Sequence, residues 1–191
     1  GSNKVKFGAY YGGSSKRSMK NLDLANKRKN AWGTGLIFNH AIDSIQNVTV
    51  AAGFTREISE NANNTAYYRN AYGLGLAYNF VHTTYGLDLE RQVTKNQGDK
   101  RTKNEVRAIV RQGLNEDWNV YAMYAYKTDK QFGDTDRTRQ FMVGTEYYVY
   151  NQGSLKVKPF LEWQATRTKY ENSTVDRSRD FKTVIGLRAY W

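Results

Sequence analysis

The chain has 191 residues, a length that suits one domain, and it contains no cysteine and a single proline. The absence of cysteine excludes disulfides and thiolate metal sites, and a single proline suits a chain built from strands. Aromatic residues make up 14% of the chain, yet its mean hydropathy is −0.78. No stretch approaches the roughly 20 apolar residues of a membrane-spanning helix.

The formal net charge of the chain is +11. A strongly basic chain can bind nucleic acid or anionic lipid. The bases here are spread over links and alternating strand positions, not gathered on one helix, so we expect no nucleic-acid partner. Gly1 and Ser2 are interpreted as a cloning remnant before a mature N-terminus.

Apolar and polar residues alternate with a period of two from one end of the chain to the other. Because alternate residues of a strand point to opposite faces, each segment has one apolar face and one polar or small face. The segment from Phe181 to Trp191 is the clearest case. The pattern predicts ten strands, near residues 3–12, 31–41, 47–58, 66–81, 83–94, 103–114, 118–129, 138–150, 154–168 and 178–191.

The links between these strands are predicted to alternate in length. Long polar links are expected near residues 13–30, 59–65, 95–102, 130–137 and 169–177. Short links are expected near residues 42–46, 82–84, 115–117 and 151–153. Such alternation is typical of outer-membrane barrels, with long outer loops and tight periplasmic turns.

These patterns predict an all-β fold, a closed antiparallel transmembrane β-barrel that forms one domain over residues 1–191. The expected location is a bacterial outer membrane, crossed many times, with both termini on the periplasmic side. A soluble up-and-down barrel is the alternative fold. Aromatic residues that could form membrane-interface girdles lie near predicted strand ends, at Tyr67, Tyr68, Tyr85, Trp118, Tyr147, Trp163 and Trp191.

The polar faces of these strands would line the interior of the barrel. The bases predicted to line a pore are Lys4, Lys6, Arg107, Arg111, Lys127, Lys156, Lys158, Lys182 and Arg188. The predicted inward acids are Asp88, Glu90, Glu105, Glu146 and Glu162. Small residues on the same faces leave room inside, at Gly33, Gly35, Ala51, Gly53, Gly73, Gly75 and Ala77.

Closure would place the first strand beside the last, so that six of the nine bases form one wall opposite Arg107, Arg111 and Lys127. Facing basic walls in a narrow pore concentrate anions and repel cations. The sequence therefore predicts a channel for small anionic solutes. In the alternative interpretation the same bases pair with the five acids and fill the interior.

No catalytic constellation is evident in the sequence. His40 and His82 are both predicted at periplasmic strand ends, where a polar residue is ordinary. A rival surface hydrolase would use the loop carboxylates Asp129, Asp134 and Asp136, which we expect to be solvated charges beside neighbouring bases. We expect no enzymatic activity, no metal and no cofactor.

The small size, the basic lumen in two tracks, the short turns and the ending Gly-Leu-Arg-Ala-Tyr-Trp together resemble one family. This is the monomeric oligogalacturonate- and sialic-acid-specific porin family of Gram-negative bacteria. The resemblance implies a monomer of twelve strands that passes acidic oligosaccharides along facing arginine and lysine tracks. The sequence departs from it in having ten predicted strands and more lysine than arginine on the inferred pore face.

The expected partners are outer-membrane lipids, lipopolysaccharide, and an anionic sugar or other small anion. An alternative function is a non-conducting barrel, acting as an adhesin or as a structural, lipopolysaccharide-binding protein. Its binding bases would lie in the first long link, at Lys16, Arg17, Lys27, Arg28 and Lys29.

Overall fold

One antiparallel sheet of ten long strands and one short strand makes up the fold. The computed structural model describes residues 2–16, 27–60, 66–96, 98–152, 155–174 and 177–190. Among these residues, no helix is long and apolar enough to cross a membrane. The strands are β1 Ser2–Lys16, β2 Lys27–Ala41, β3 Gln46–Glu60, β4 Ala66–Phe80, β5 Thr83–Asn96, β6 Asp99–Gly113, β7 Trp118–Gln131, β8 Asp134–Tyr147, β9 Tyr150–Gln152, β10 Leu155–Lys169 and β11 Arg177–Tyr190.

Each long strand pairs with its neighbours in chain order, in the order β1-β2-β3-β4-β5-β6-β7-β8-β10-β11, and β9 pairs with β10 alone. The prediction of ten long antiparallel strands is therefore confirmed. Ser2 lies opposite Ala41, and Tyr190 lies opposite Lys156, so both termini lie at one end of the sheet. We call this the near end and the opposite one the far end. Among the described residues, β1 and β11 are not paired with each other.

Residues opposite one another in register share a face, so the two faces can be followed across all ten strands. The polar face carries Lys6, Arg107 and Glu162, and the apolar face carries Phe7 and Leu74. Most of the large exposed apolar side chains lie on the apolar face. Among the described residues, the single buried apolar side chain is Ala125, on the polar face, so this sheet has no apolar core.

One predicted long link is a tight hairpin and a second is mostly strand, so the predicted alternation of link lengths is wrong. β7 ends at Gln131 and β8 begins at Asp134, where link 130–137 was expected. Only Phe132 and Gly133 connect them, with φ values of 52° and 95°. Positive φ at both central residues is the geometry of the two-residue hairpin turn that matches the twist of paired strands. The expected link 95–102 also shortens, because β5 ends at Asn96 and β6 begins at Asp99.

The first predicted link is also shorter, because strand residues occupy both of its sides. β1 extends to Lys16 and β2 begins at Lys27, where the sequence analysis expected a link from residue 13 to residue 30. Lys16, Lys27, Arg28 and Lys29 therefore belong to strands, and Arg17 lies outside the described residues. The near-end links are short, as the sequence predicts. In the link between β2 and β3, Asp43 stabilises the turn, since its Oδ1 accepts a hydrogen bond from the backbone N–H of Ile45 at 2.9 Å.

Candidate functional site

All nine bases predicted to line a pore lie on the polar face. The register from β1 to β11 also brings the five predicted acids and the seven small residues to that face. The two-residue period of the sequence was sufficient for this assignment, because a strand alternates its side chains strictly. The contacts among these side chains were not predictable from that period.

Three of the nine bases converge on one buried carboxylate near the near end of the sheet. Glu146 is 2% exposed, and its Oε1 lies 2.9 Å from Lys158 Nζ. Arg188 Nη1 donates to the other oxygen, Oε2, at 3.0 Å, and Arg111 Nη2 also donates to Glu146. The Lys158 side chain is itself only 6% exposed. Removal of either buried partner would leave an uncompensated charge out of water.

A second carboxylate extends this cluster across the polar face. Glu162 Oε1 accepts hydrogen bonds from Arg188 Nη2 at 2.7 Å and from the Tyr121 hydroxyl at 2.6 Å. The Arg188 guanidinium also lies over the Phe160 ring, 4.1 Å from its centroid. Because Arg188 bridges both carboxylates and stacks on a ring, its position is determined by three separate contacts. We call this group of Arg111, Tyr121, Glu146, Lys158, Glu162 and Arg188 the Glu146 cluster.

Glycines under the cluster allow aromatic rings to lie flat against the strands. A Cβ atom at Gly144 would stand 2.5 Å from the Tyr121 ring, and one at Gly186 would stand 2.5 Å from the Phe160 ring. We expect Gly144→Ala to lower the free energy of unfolding by about 1–3 kcal/mol, because overpacking displaces the ring. Gly73→Ala is the matched control, since a Cβ there meets nothing within 4 Å. Equal unfolding midpoints in urea for the two variants would contradict the close packing at Gly144.

A smaller ion-pair group lies midway along the polar face. Glu105 Oε1 accepts a hydrogen bond from Arg107 Nη2 at 2.8 Å, and its Oε2 lies 3.3 Å from Lys127 Nζ. Asp88 Oδ2 lies 3.9 Å from Arg107 Nη1. The predicted second wall of Arg107, Arg111 and Lys127 is therefore engaged with carboxylates throughout.

Four of the nine predicted bases have no carboxylate partner among the described residues. No described carboxylate lies within 4 Å of the ammonium groups of Lys4, Lys6, Lys156 and Lys182. Lys4 and Lys6 lie on β1, at one edge of the sheet, and the other two lie on β10 and β11, at the opposite edge. These four lysines are the ones available to an anion from solution.

The charge balance of the polar face differs from the sequence-based estimate. Strand residues that the sequence analysis had assigned to links, or had not assigned, add three bases and six acids to this face. The added residues are Arg69, Arg101, Lys103, Glu57, Asp99, Asp129, Asp134, Asp136 and Asp180. The sequence predicts nine bases and five acids on this face. Among strand residues with described side chains, the structure places twelve bases and eleven acids there. Among the described side chains of this face, a general excess of base therefore no longer supports anion selectivity.

The small residues form a trough on the β2–β4 part of the polar face. Gly35, Ala51, Gly53, Gly73 and Gly75 lie in this trough and line a cavity of about 860 Å³. Lys6 and Arg107 border the same cavity, and so do the carboxylates Asp88, Glu90 and Glu105. The polar face thus has a filled side, at the Glu146 cluster, and an open side at the trough.

The carboxylates of the rival hydrolase lie in strands rather than in loops. Asp129 and Asp136 lie directly opposite one another on β7 and β8, on the polar face. Asp129 Oδ1 accepts a hydrogen bond from Arg101 Nε at 2.8 Å, and Asp129 Oδ2 lies 3.6 Å from Lys103 Nζ. The bases that were expected to neighbour these acids point to the opposite face instead. These bases are Lys130, Arg137 and Arg139.

Both histidines lie at the near end, as the sequence indicates. His40 Nδ1 is 2.6 Å from the amide oxygen of Asn3, and His82 lies in the two-residue link before β5. Within the described ranges, no three His, Cys, Asp or Glu side chains are grouped so that they could hold a metal ion.

One group of charged residues was not predicted as a group from the sequence. The apolar face carries eleven bases and no acid among strand residues with described side chains, all toward the far end. These bases could have been found from the sequence, because several of them are spaced two residues apart, which places them on one face of a strand. The missed bases are Arg56, Arg91, Lys95, Lys100, Lys130, Arg137, Arg139, Arg167, Lys169, Arg177 and Arg179.

The chain matches no protein-family model, and no curated protein matches it. The function is therefore inferred from the geometry of the sheet and from the chemistry of its two faces.

Proposed function

We propose that β1 and β11 pair to close the sheet into a transmembrane barrel in a bacterial outer membrane. Ten long strands in antiparallel order leave β1 and β11 antiparallel to each other, which is the relation that direct pairing requires. Both edge strands have very exposed apolar side chains, such as Phe7 at 73% and Ile185 at 79%. Two long sheet edges without a paired strand would promote aggregation, and closure removes both edges.

The strand register has the stagger that a barrel needs. Lys6 on β1 and Asp180 on β11 are the two ends of one row of residues, each of which lies directly opposite the next on the neighbouring strand. Lys6 lies ten residues from the far end of β1, at Lys16, and Asp180 lies three from the far end of β11, at Arg177. The strands are therefore displaced progressively along their length, as closed barrels with tilted strands require.

The apolar face would contact lipid. Strands of 14 or 15 residues are about 45–50 Å long and rise about 35–40 Å at the usual tilt. This exceeds the apolar band of about 25 Å in outer-membrane barrels, so each strand also has residues outside the hydrocarbon. The near absence of a buried apolar core supports this proposal, since a soluble sheet would cover its apolar face with other elements.

Inside this barrel we infer a channel that passes small anionic solutes along the open side of the polar face. The observation that carries the proposal is the trough of about 860 Å³ beside Lys6, combined with four lysines that lack a described carboxylate partner. Closure would bring Lys4 and Lys6 of β1 next to β11, which carries Lys182, and near Lys156 of β10. Unpaired ammonium groups along a narrow path attract anions.

Acidic oligosaccharides are the solute class that the porin resemblance implies for this channel, in a monomer. Ten strands make a tighter pore than the twelve of that family, so short anionic solutes fit this proposal better than long ones. We propose no catalytic activity, because Asp129, one of the two aspartates that lie opposite one another at the far end, is engaged with Arg101 and Lys103.

A second candidate function is a non-conducting barrel that acts as a structural or lipid-binding protein. The Glu146 cluster favours this alternative, because its bases and acids neutralise one another and fill the interior near β6–β11. The two candidates differ in one observable property, the ionic conductance of the reconstituted protein.

Planar-bilayer recording tests the channel. We expect discrete current steps with preference for anions. Lys4→Glu/Lys6→Glu/Lys156→Glu/Lys182→Glu should reverse that preference, because no described carboxylate neutralises these lysines. The matched control makes the same charge change on the apolar face, with Arg91→Glu/Lys95→Glu/Lys100→Glu/Lys130→Glu, and should retain anion preference. Insertion without conductance would favour the structural barrel. Equal reversal by both variants would show that net charge, not the polar face, sets the selectivity.

A further inference from the structure

A compact group of six bases lies at the far end of the apolar face, on three neighbouring strands. They form two rows of three residues directly opposite one another across β8, β10 and β11. We call them the six-base patch, made of Arg137, Lys169 and Arg177 in one row and Arg139, Arg167 and Arg179 in the other. Neighbouring strands lie about 4.8 Å apart, so each row spans about 10 Å.

This arrangement is unfavourable for the protein alone. Like charges directly opposite on an antiparallel pair are destabilising, and the patch contains four such pairs. All six side chains are exposed, and no described carboxylate lies within 4 Å of any of them. Glu171 lies in the link between β10 and β11, but its carboxylate accepts a hydrogen bond from the backbone N–H of Thr135. Among the described residues no counter-charge relieves this repulsion, and an anion that binds from outside the chain would relieve it.

The position of the patch relative to apolar side chains indicates where that anion lies. The next row toward the near end is Phe141, Ala165 and Phe181, and the row after it contains Trp163. Trp163 stacks with Phe181, with 6.1 Å between the ring centroids. The patch therefore borders an apolar and aromatic surface on one side and the far-end links on the other. A lipid headgroup occupies this level when the apolar surface is in hydrocarbon.

We propose that the six-base patch binds the phosphate groups of an anionic lipid headgroup, of the kind that carries two phosphates on a glycolipid. Five of the six bases are arginines, whose guanidinium groups bind phosphate oxygens in pairs. The two rows present enough donors for two phosphates side by side. The proposal rests on the transmembrane barrel proposed above, because only a membrane would bring such a headgroup to this level.

The proposal moves the lipid-binding residues away from those that the sequence analysis indicated. The sequence indicates lipopolysaccharide contacts in the first link, from Lys16 to Lys29. The patch is instead made of residues on β8, β10 and β11. Its bases share one face with the apolar surface, so one lipid molecule can place its acyl chains against Phe141 and Phe181 and its phosphates against the arginines.

Native mass spectrometry of the full chain in detergent, titrated with bisphosphorylated lipid A, tests the patch. Arg139→Gln/Arg167→Gln/Arg179→Gln should weaken binding about 100-fold at low salt, since each base near an anionic surface contributes about tenfold or less. Arg91→Gln/Lys95→Gln/Lys100→Gln removes the same charge from the same face and should change the affinity only a few-fold. Monophosphorylated lipid A should bind the unaltered chain more weakly, and excess inorganic phosphate should compete only at millimolar concentration.

Equal weakening by both triple variants would overturn the proposal, because binding would then depend on net charge. Undiminished binding by the patch variant, or equal affinity for the two lipid A forms, would overturn it as well. Tight binding of inorganic phosphate alone would indicate a free-anion site rather than a headgroup site. Barrel formation is tested separately by folding the chain into phosphatidylcholine vesicles and measuring whether heating changes its mobility on a gel. A chain that never inserts contradicts the proposed function, whereas one that inserts and ignores lipid A contradicts only the patch.

Discussion

Glu146→Gln is expected to lower the free energy of unfolding by about 3–5 kcal/mol, the usual cost of removing one partner from a buried ion pair. The substitution leaves the Lys158 ammonium, with a side chain only 6% exposed, without its nearest carboxylate oxygen at 2.9 Å. It also removes an acceptor from Arg111 and Arg188. Urea titration of the chain folded into phospholipid vesicles, followed by tryptophan fluorescence, measures the effect.

Two comparison variants make this prediction specific. Glu105→Gln removes a carboxylate whose partners, Arg107 and Lys127, are about 40% exposed, so we expect a loss of about 1 kcal/mol or less. Glu146→Gln/Lys158→Met removes both buried charges and should recover most of the lost stability. If Glu146→Gln and Glu105→Gln lower the free energy of unfolding equally, the Glu146 cluster is solvated and does not fill its side of the polar face.

Val106→Arg is expected to destabilise the protein in a bilayer by about 2–4 kcal/mol, the cost of an arginine on the lipid face at the midplane. Val106 lies on the apolar face at the middle of β6, seven residues from each end of the strand. Thr102→Arg lies four residues away on the same strand and face, close to the far end, and should cost about 0–1 kcal/mol. The same urea titration in vesicles provides both values.

The informative result of this comparison is how the loss of stability caused by arginine depends on the depth of the residue in the bilayer. In a membrane barrel, the cost of arginine falls with distance from the bilayer midplane, so Val106 and Thr102 should differ clearly. In a soluble sheet with an exposed face, both substitutions would be tolerated to a similar degree. Equal costs at the two positions would therefore argue against the transmembrane orientation proposed here.

The two faces of the sheet were predictable from the sequence because strand geometry is strictly local. A side chain at position i faces the same way as the one at i+2, so Lys156 and Lys158 share a face whatever lies around them. The number of long strands followed from the same pattern. For this reason Lys4 and Arg188, at opposite ends of the chain, were both assigned correctly to the polar face.

The lengths of the hairpins were misjudged because polar residues were equated with links. Most of the residues from 95 to 102 and from 130 to 137 continue the strands instead, and a two-residue turn at Phe132 and Gly133 connects β7 with β8. A strand that extends beyond an apolar band needs no apolar residues, so composition cannot mark its end. The same misjudgement concealed the six-base patch, since a residue assigned to a link has no assigned face.

The sequence by itself determined an all-β chain, ten long strands, and the membership of each face, since these depend on neighbours two residues apart. Only the tertiary structure decided which charges meet. Glu146 contacts Arg111 and Arg188, which are 35 and 42 residues away along the chain. Such partners are set by strand register and by side-chain reach across two strands, neither of which the period of two encodes. Among the described side chains, the structure therefore leaves the polar face nearly balanced in charge and concentrates bases without carboxylate partners at the far end of the apolar face.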